Sequence, residues 1–232
     1  MKLASFLTAE GPRWGAVLNA TCWLDLPAAW RLVGQTPPVD ANQDSIVGFL
    51  AAGRYALDAA YALIARFHAN PERFIAATHP LEGAIYLPPL YPTGRLFTQR
   101  GNSCLHSRVS RLAVPEHPIF EMRYPHTLVG HNSIYHIPAA WPPGGWNPEL
   151  IAVIGQPGRD LSPEGALEHV AGYTLMIDHP TSVRAQFEAW GVTNLDVFRD
   201  AMMAGAFYSN AIADHPVGPW IVTADEVGDP HD

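Results

Sequence analysis

The opening of the chain alternates in short apolar runs cut by turn residues. Residues 2–6 (KLASF), 15–18 (GAVL) and 22–26 (CWLDL) each read as strands, with turn-forming residues between them. Residues 43–68 change period. In QDSIVGFLAAG the apolar positions recur at helical spacing, and Gly53 is placed to end that helix. RYALDAAYALIARFHA continues as a second helix, whose apolar stripe is Leu57, Ala60, Tyr61, Leu63 and Ile64; core packing accounts for it without any ligand. From 75 to 100 the chain turns Pro-rich (ATHPLEGAIYLPPLYPTGRLFTQ) and reads as a linker between two domains, 1–90 and 91–232. Beyond it IPAAW, ELIAVIG, GYTLMID and PWIVTAD read as strands. One helix interrupts them from Ser162, where a Ser cap precedes Pro at the first helical position. Another starts near Thr193, where Thr-Asn-Leu-Asp forms a shortened capping box before VFRDAMMAGAF. The pattern predicts an α+β fold, mostly β, with a small N-terminal strand-and-helix lobe ahead of a β-rich domain.

Composition narrows the function classes. Across 232 residues, 48% apolar and 16% charged is globular composition. A formal charge of -8 argues against a nucleic-acid surface, which needs clustered Lys and Arg. Two cysteines, Cys22 and Cys104, make neither a disulfide framework nor a CxxC metal pair. The N-terminal MKLASFLTAEGPRW is too weak for a secretory signal, and no run approaches the roughly 20 apolar residues of a membrane span. A cytoplasmic protein without membrane or nucleic-acid partners is expected.

Four stretches carry candidate chemistry. GNSCLHS places Asn102 four residues before His106. In NPELIAVIG, Glu149 opens an apolar strand and shares a face with Ile151 and Val153 if the pleat is regular; such a carboxylate, if buried, must be paired, protonated or metal-bound. If Glu149 sits at the strand's wet end it needs no partner. AGYTLMIDH ends an apolar strand in Asp178, a position that also suits capping of the next turn. HPVGPWIVTADEV carries a Gly-Pro pair that reads as a tight turn before a strand, shaping rather than reacting. A zinc reading rests on five histidines, His106, His117, His126, His131 and His136. None of them pairs at the helical i, i+4 spacing of an HExxH site, and scattered loop histidines are the plainer reading.

The order of these stretches resembles the fumarylacetoacetate hydrolase family. The chain reads NSCLH at 102–106, IFEMRYPHTLVG at 119–130, NPELIAVIG at 147–155, VAGYTLMID at 170–178 and PVGPWIVTADEVGDP at 216–230. These match the family's Asn-Tyr-x-x-His turn, Phe-x-Lys-Pro segment, Glu-x-Glu strand, Gly-Tyr-Thr strand ending in Asp, and Gly-Pro-Trp turn. The resemblance implies a mixed β-roll or barrel for the C-terminal domain. It further implies a divalent cation, magnesium or manganese, on Glu149 and Asp178, with Asn147 standing where the family has its first Glu. The Asn147 amide oxygen can ligate a hard cation but adds no charge.

By the same resemblance His106 is the catalytic base, and Arg184, Gln186 and Arg123 are the substrate-binding candidates. Val109 stands where one branch of the family has the Glu that helps His activate water, and the substrate Lys position falls near Ser209. Family members continue past the DEVGDP strand, so the chain is expected to be a shortened member. The implied chemistry is that of a 1,3-dicarbonyl or 2-oxo acid chelated to the metal, with enolate stabilisation serving hydrolysis, decarboxylation or isomerisation. Hydrolysis alone also needs a base to make the attacking water. The alternative is a degenerate, non-catalytic member acting as a binding or partner subunit. Open sheet edges would be paired in a homodimer or in a heteromer with a related chain.

Overall fold

In the computed structural model, which describes residues 1–36, 38, 45–100, 104–109, 114–134, 136, 147–178, 191–192, 194 and 214–231, the N-terminal alternation becomes a hairpin. Strand β1 (Lys2–Thr8) pairs antiparallel with β2 (Gly11–Val17), and residues 3–6 are all buried because both faces of β1 are covered. Leu3 joins the main core with Trp14, while Ala4 and Phe6 pack on the other face, where the Phe6 and Trp23 rings stack at 4.1 Å. The sheet continues through β3 (Cys22–Asp25) and β4 (Thr78–Pro80).

Strand β3 stops at Asp25, one residue short of the apolar run read from sequence. The Asp25 carboxylate accepts a hydrogen bond from Ala28 N at 2.8 Å, and Pro27 lies in the first turn, so Leu26–Leu32 becomes helix α1. Side-chain capping and a preset φ outweigh β propensity here. Burial pushes the Asp25 carboxyl above the usual carboxylate range, even though the cap bond and nearby Arg13 and Arg31 act the other way. An acid whose pKa is higher folded than unfolded weakens the fold while ionised, and the deficit disappears as pH falls through the folded value. Asp25→Asn keeps the capping acceptor without the charge. It is expected to melt at or above the parent temperature near neutrality, with the difference closing in mild acid. Asp25→Ala loses the cap, at a cost of about 1 kcal/mol. Thermal melts of the two variants at both pH values check this.

Helix α2 (Ile46–Ala51) starts at Ser45, whose Oγ accepts from Gly48 N, and ends at Gly53, with φ +62°, as its spacing predicts. Helix α3 (Gly53–Ala69) buries Ala56, Ala60 and Leu63, with Leu57 and Ile64 partly covered. The stripe is turned slightly from the predicted one: Tyr61 lies at its edge, 37% exposed, and donates to Asp225 at 2.8 Å.

The Pro-rich stretch does more than link. It carries a 3-10 segment (Pro71–Ala77), β4, β5 (Ile85–Tyr86) against β1, and β6 (Leu96–Arg100). Strand β6 pairs with β7 (Ile119–Arg123) in a separate hairpin, with the short helix α4 (Cys104–Val109) between them in sequence.

Three strands complete the main sheet: β9 (Asn147–Ile154), β10 (Val170–Asp178) and β11 (His215–Thr223), with β8 (Leu128–Val129) lying parallel to β11. The strand order is β4-β3-β2-β1-β11-β10-β9. Because β11 pairs with β1, Lys2↔Val222 and Leu3↔Ile221, the two halves of the sequence share backbone hydrogen bonds. The result is a mixed α/β fold dominated by one antiparallel sheet. Among the described residues that sheet is open, with β4 and β9 at its edges, and not a closed barrel.

Two expectations change. The Gly218-Pro219 pair lies inside β11, where its register with β10 shifts between Tyr173 and Leu175, so it is a strand irregularity and not a turn before the strand. The Ser162-capped segment is a 3-10 helix, Pro163–His169, and not an α-helix. The predicted strand IPAAW and the body of the helix after Thr193 lie outside the described residues. Helix α5 (Ala224–Val227) follows β11. Among the described residues no helix is long and apolar enough to cross a membrane.

Candidate functional site

Strand register decides which side chains meet. Strands β9 and β10 run antiparallel with Asn147 opposite Asp178, Glu149 opposite Met176 and Ile151 opposite Thr174. Side chains alternate across a strand, so Asn147, Glu149, Ile151 and Val153 share one face with Thr174, Met176 and Asp178. Burial agrees: Val153, Thr174, Met176 and Asp178 are buried, while Leu150, Ile154 and Leu175 on the opposite face are exposed. Directly paired residues on one face lie about 5 Å apart and diagonal neighbours about 7–8 Å. Asn147 is therefore a direct neighbour of Asp178, and Glu149 is one diagonal step from it.

Asp178 is 3% exposed, and the turn it was read to cap lies outside the described residues. Its Oδ2 accepts from Arg123 Nη2 at 2.7 Å, and Arg123, on β7, is itself 2% exposed. The same nitrogen stands 3.7 Å from Glu121 Oε2. The other carboxylate oxygen, Oδ1, faces Nδ1 of the fully buried His215 at 3.6 Å. Close approach of a guanidinium compensates a carboxylate out of water, and it fixes the direction of Asp178. Arg123, expected from sequence to meet substrate, is thus engaged with Asp178 and Glu121.

Sequence reasoning missed His215 and Glu121. For His215 the signal was available: it begins β11 and alternates with the buried Val217, which places both on the inner face. Thr174 was legible in the same way, since it alternates with Met176 and Asp178. Glu121 was legible as well, since it stands two residues before Arg123 on β7 and so shares its face.

Of the other expected site residues, His106 and Val109 have their backbone in α4, and their side chains lie outside the described residues. Arg184, Gln186 and Ser209 also lie outside them.

A cavity of about 500 Å3 opens on the inner face of β9 and β10. Glu149 and Thr174 border it together with apolar walls that include Ile151, Met176, Phe97 and Phe120. Thr174 Oγ1 is buried and has no hydrogen-bond partner among the described residues.

The donor set suits a hard cation: the Glu149 and Asp178 carboxylates and the Asn147 amide offer only oxygens, from one face of two adjacent strands. Arg123 ties down one oxygen of Asp178, leaving Oδ1 on the side away from that contact. Two carboxylates, one of them paired with a guanidinium, would give any cation there little net charge compensation. Among the described residues no three His, Cys, Asp or Glu side chains converge as a metal cluster. The histidines of the zinc reading are dispersed: the His126 ring packs on Tyr124, the His131 ring meets Tyr86 edge-on at 5.1 Å, and the exposed His136 lies beside Asp214.

Comparison with known proteins adds three findings. A family model described as fumarylacetoacetate (FAA) hydrolase C-terminal matches residues 95–232. A Salmonella dublin protein named 4-hydroxyphenylacetate degradation bifunctional isomerase/decarboxylase is 32% identical over 144 residues, covering 62% of this chain and 30% of its own length. A 2,4-didehydro-3-deoxy-L-rhamnonate hydrolase from Sphingomonas sp. (strain SKA58) is 35% identical over 130 residues, 55% of this chain and 40% of its own. The chain thus spans less than half the length of these relatives. Among solved structures, maleylpyruvate hydrolase from Sphingobium sp. SYK-6, in complex with manganese (II) and pyruvate, superposes with a TM-score of 0.60. That match has 23% identity and covers 99% of this chain and 70% of the other, a likeness of fold.

Proposed function

The chain belongs to the fumarylacetoacetate hydrolase family, and from that premise we propose that it is a metal-dependent enzyme acting on a small 2-oxo acid or 1,3-dicarbonyl. The observation that carries this reading is the register that sets Asn147, Glu149 and Asp178 on one sheet face beside a cavity. The names of the relatives, a bifunctional isomerase/decarboxylase and a hydrolase, support the substrate class, as does the neighbour holding manganese and pyruvate.

Magnesium or manganese held by Glu149, Asp178 and the Asn147 amide oxygen would supply a Lewis acid for a substrate carbonyl. The chain's own residues do the rest. Arg123 fixes the orientation of the Asp178 carboxylate through Oδ2, with Oδ1 facing His215 Nδ1. His106 is assigned the proton transfer, and Arg184 and Gln186 the substrate carboxylate, on the family resemblance. With Val109 in place of a water-activating Glu, decarboxylation or keto–enol isomerisation ranks ahead of hydrolysis, because neither needs a nucleophilic water.

A second reading, a subunit that binds without turnover, is favoured by the same Arg123–Asp178 pair, which offsets one of the two ligand charges. For the partner we propose a second chain of this fold. The edge strand β9 and the exposed Leu150 and Ile154 of β9 and Leu175 of β10 are the surface such a chain would cover.

The test is turnover of 2-oxo acids such as oxaloacetate by the chelator-treated protein. Activity is expected to vanish on treatment and return with added manganese. Turnover that persists unchanged through chelation sinks the metal reading, and no turnover under any metal favours the binding subunit.

A further inference from the structure

The proposed reaction leaves the size and character of the cavity unused. A three-carbon oxo acid would occupy only a fraction of about 500 Å3, a volume in the range that holds drug-sized ligands. On the sheet side the polar groups are Glu149 and Thr174, on neighbouring strands, and Thr98 and Gln99 of β6 add polar groups on the hairpin side. Beyond them the walls are hydrocarbon: Ile151 and Met176 from the sheet, and Phe97 and Phe120 from the β6–β7 hairpin. Arg95 stands exposed at the rim. Thr174 contributes the second observation. Its hydroxyl is buried, borders the cavity and has no protein partner among the described residues, an arrangement that costs stability unless a ligand or water completes it.

We infer that the substrate is a 2-oxo acid or 1,3-dicarbonyl bearing an apolar substituent of several carbons, alkyl or aryl, which lies along Ile151, Met176, Phe97 and Phe120 while its oxygen-bearing end accepts from the Thr174 hydroxyl and approaches Glu149 only through the cation that Glu149 would hold. This deepens the proposed function and rests on it for the oxo-acid end only; the apolar half rests on the cavity. Small unbranched oxo acids then bind poorly because they leave hydrocarbon walls wet, not because they lack a polar contact. Selectivity then resides in Phe97 and Phe120 of the hairpin, neither of which is among the candidate ligands.

The experiment is calorimetric binding to the full chain, with manganese present, of straight-chain 2-oxo acids from three to eight carbons, beside the matching alkanoates that lack the oxo group. Affinity is expected to rise about two- to fourfold per methylene buried. Ile151→Phe, which fills the cavity, should flatten that rise. Val47→Trp, at an exposed helix position on the same cavity, is the second variant should Ile151→Phe fold poorly. Thr174→Val should weaken every 2-oxo acid by a constant factor of roughly five without altering the slope. Affinity independent of chain length, or a slope that survives both filling variants, overturns the inference and leaves the proposed reaction standing. Alkanoates that bind as tightly as the 2-oxo acids, with the same slope, uphold the apolar site and remove the oxo-acid reading instead.

Discussion

Asp178→Ala is expected to lower stability by about 3–5 kcal/mol, because it removes the 2.7 Å contact of the buried Arg123 guanidinium. Arg123 makes its short contact, 2.7 Å, with Asp178, and Glu121 at 3.7 Å is a poorer compensator. In a chain of this size a loss of that order lowers the melting temperature by about 10 °C. Arg123→Met should also destabilise, since it strands the carboxylate. The double variant should recover most of the loss, because hydrophobic replacement of both partners removes the unpaired charge along with the pair. Denaturant melts of the four proteins give the coupling directly. If the single losses simply add, the two side chains are not coupled and the description of the site's anchor is wrong.

Glu149→Gln should behave differently. Glu149 is only half buried and borders the cavity, so the near-isosteric amide should move the melting temperature by a few degrees at most. It removes one of the two carboxylates left to ligate a cation. Changes to groups that merely support a metal ligand already cost 10–100-fold, so loss of a ligand charge should lower metal-dependent turnover by at least about 100-fold. Steady-state rates beside thermal melts separate the outcomes. Full turnover in Glu149→Gln excludes it from the site, and a collapse in stability makes it a structural residue. The two variants separate Asp178, which serves both the fold and the proposed cation, from Glu149, which serves the cation alone.

How much of this was legible in the sequence depends on the range of the forces involved. Strands β1, β2, β9, β10 and β11 were readable because alternation is written locally. The shared face of Glu149, Ile151 and Val153 followed from the same period. Helix α1 was missed because a β-rich run, CWLDL, outvoted the Asp-Leu-Pro cap that the structure obeys. The Pro-rich stretch read as linker because strands of two or three residues carry too little periodicity to detect, although β4 and β5 are held firmly by their neighbours.

The candidate site was legible in part. Family motifs named Asn147, Glu149 and Asp178, but which oxygen of Asp178 is occupied, and by what, depends on β7 lying across the end of β10. That contact joins residues 55 positions apart and leaves no trace in local spacing. His215 is less apparent because Gly218-Pro219 interrupts the strand pattern, and the alternation that buries His215 begins three residues before that pair. The cavity is likewise a product of the β6–β7 hairpin standing over the sheet, and such tertiary juxtapositions are invisible to periodicity.

The central claim is that two acids from adjacent strands grip one divalent ion. Manganese titration of the chain, followed by the loss of the free-ion paramagnetic signal, addresses it most directly. One ion per chain should bind, and binding should disappear in Glu149→Gln. A free-ion signal unchanged by the protein up to millimolar manganese, or binding indifferent to Glu149→Gln, would contradict it.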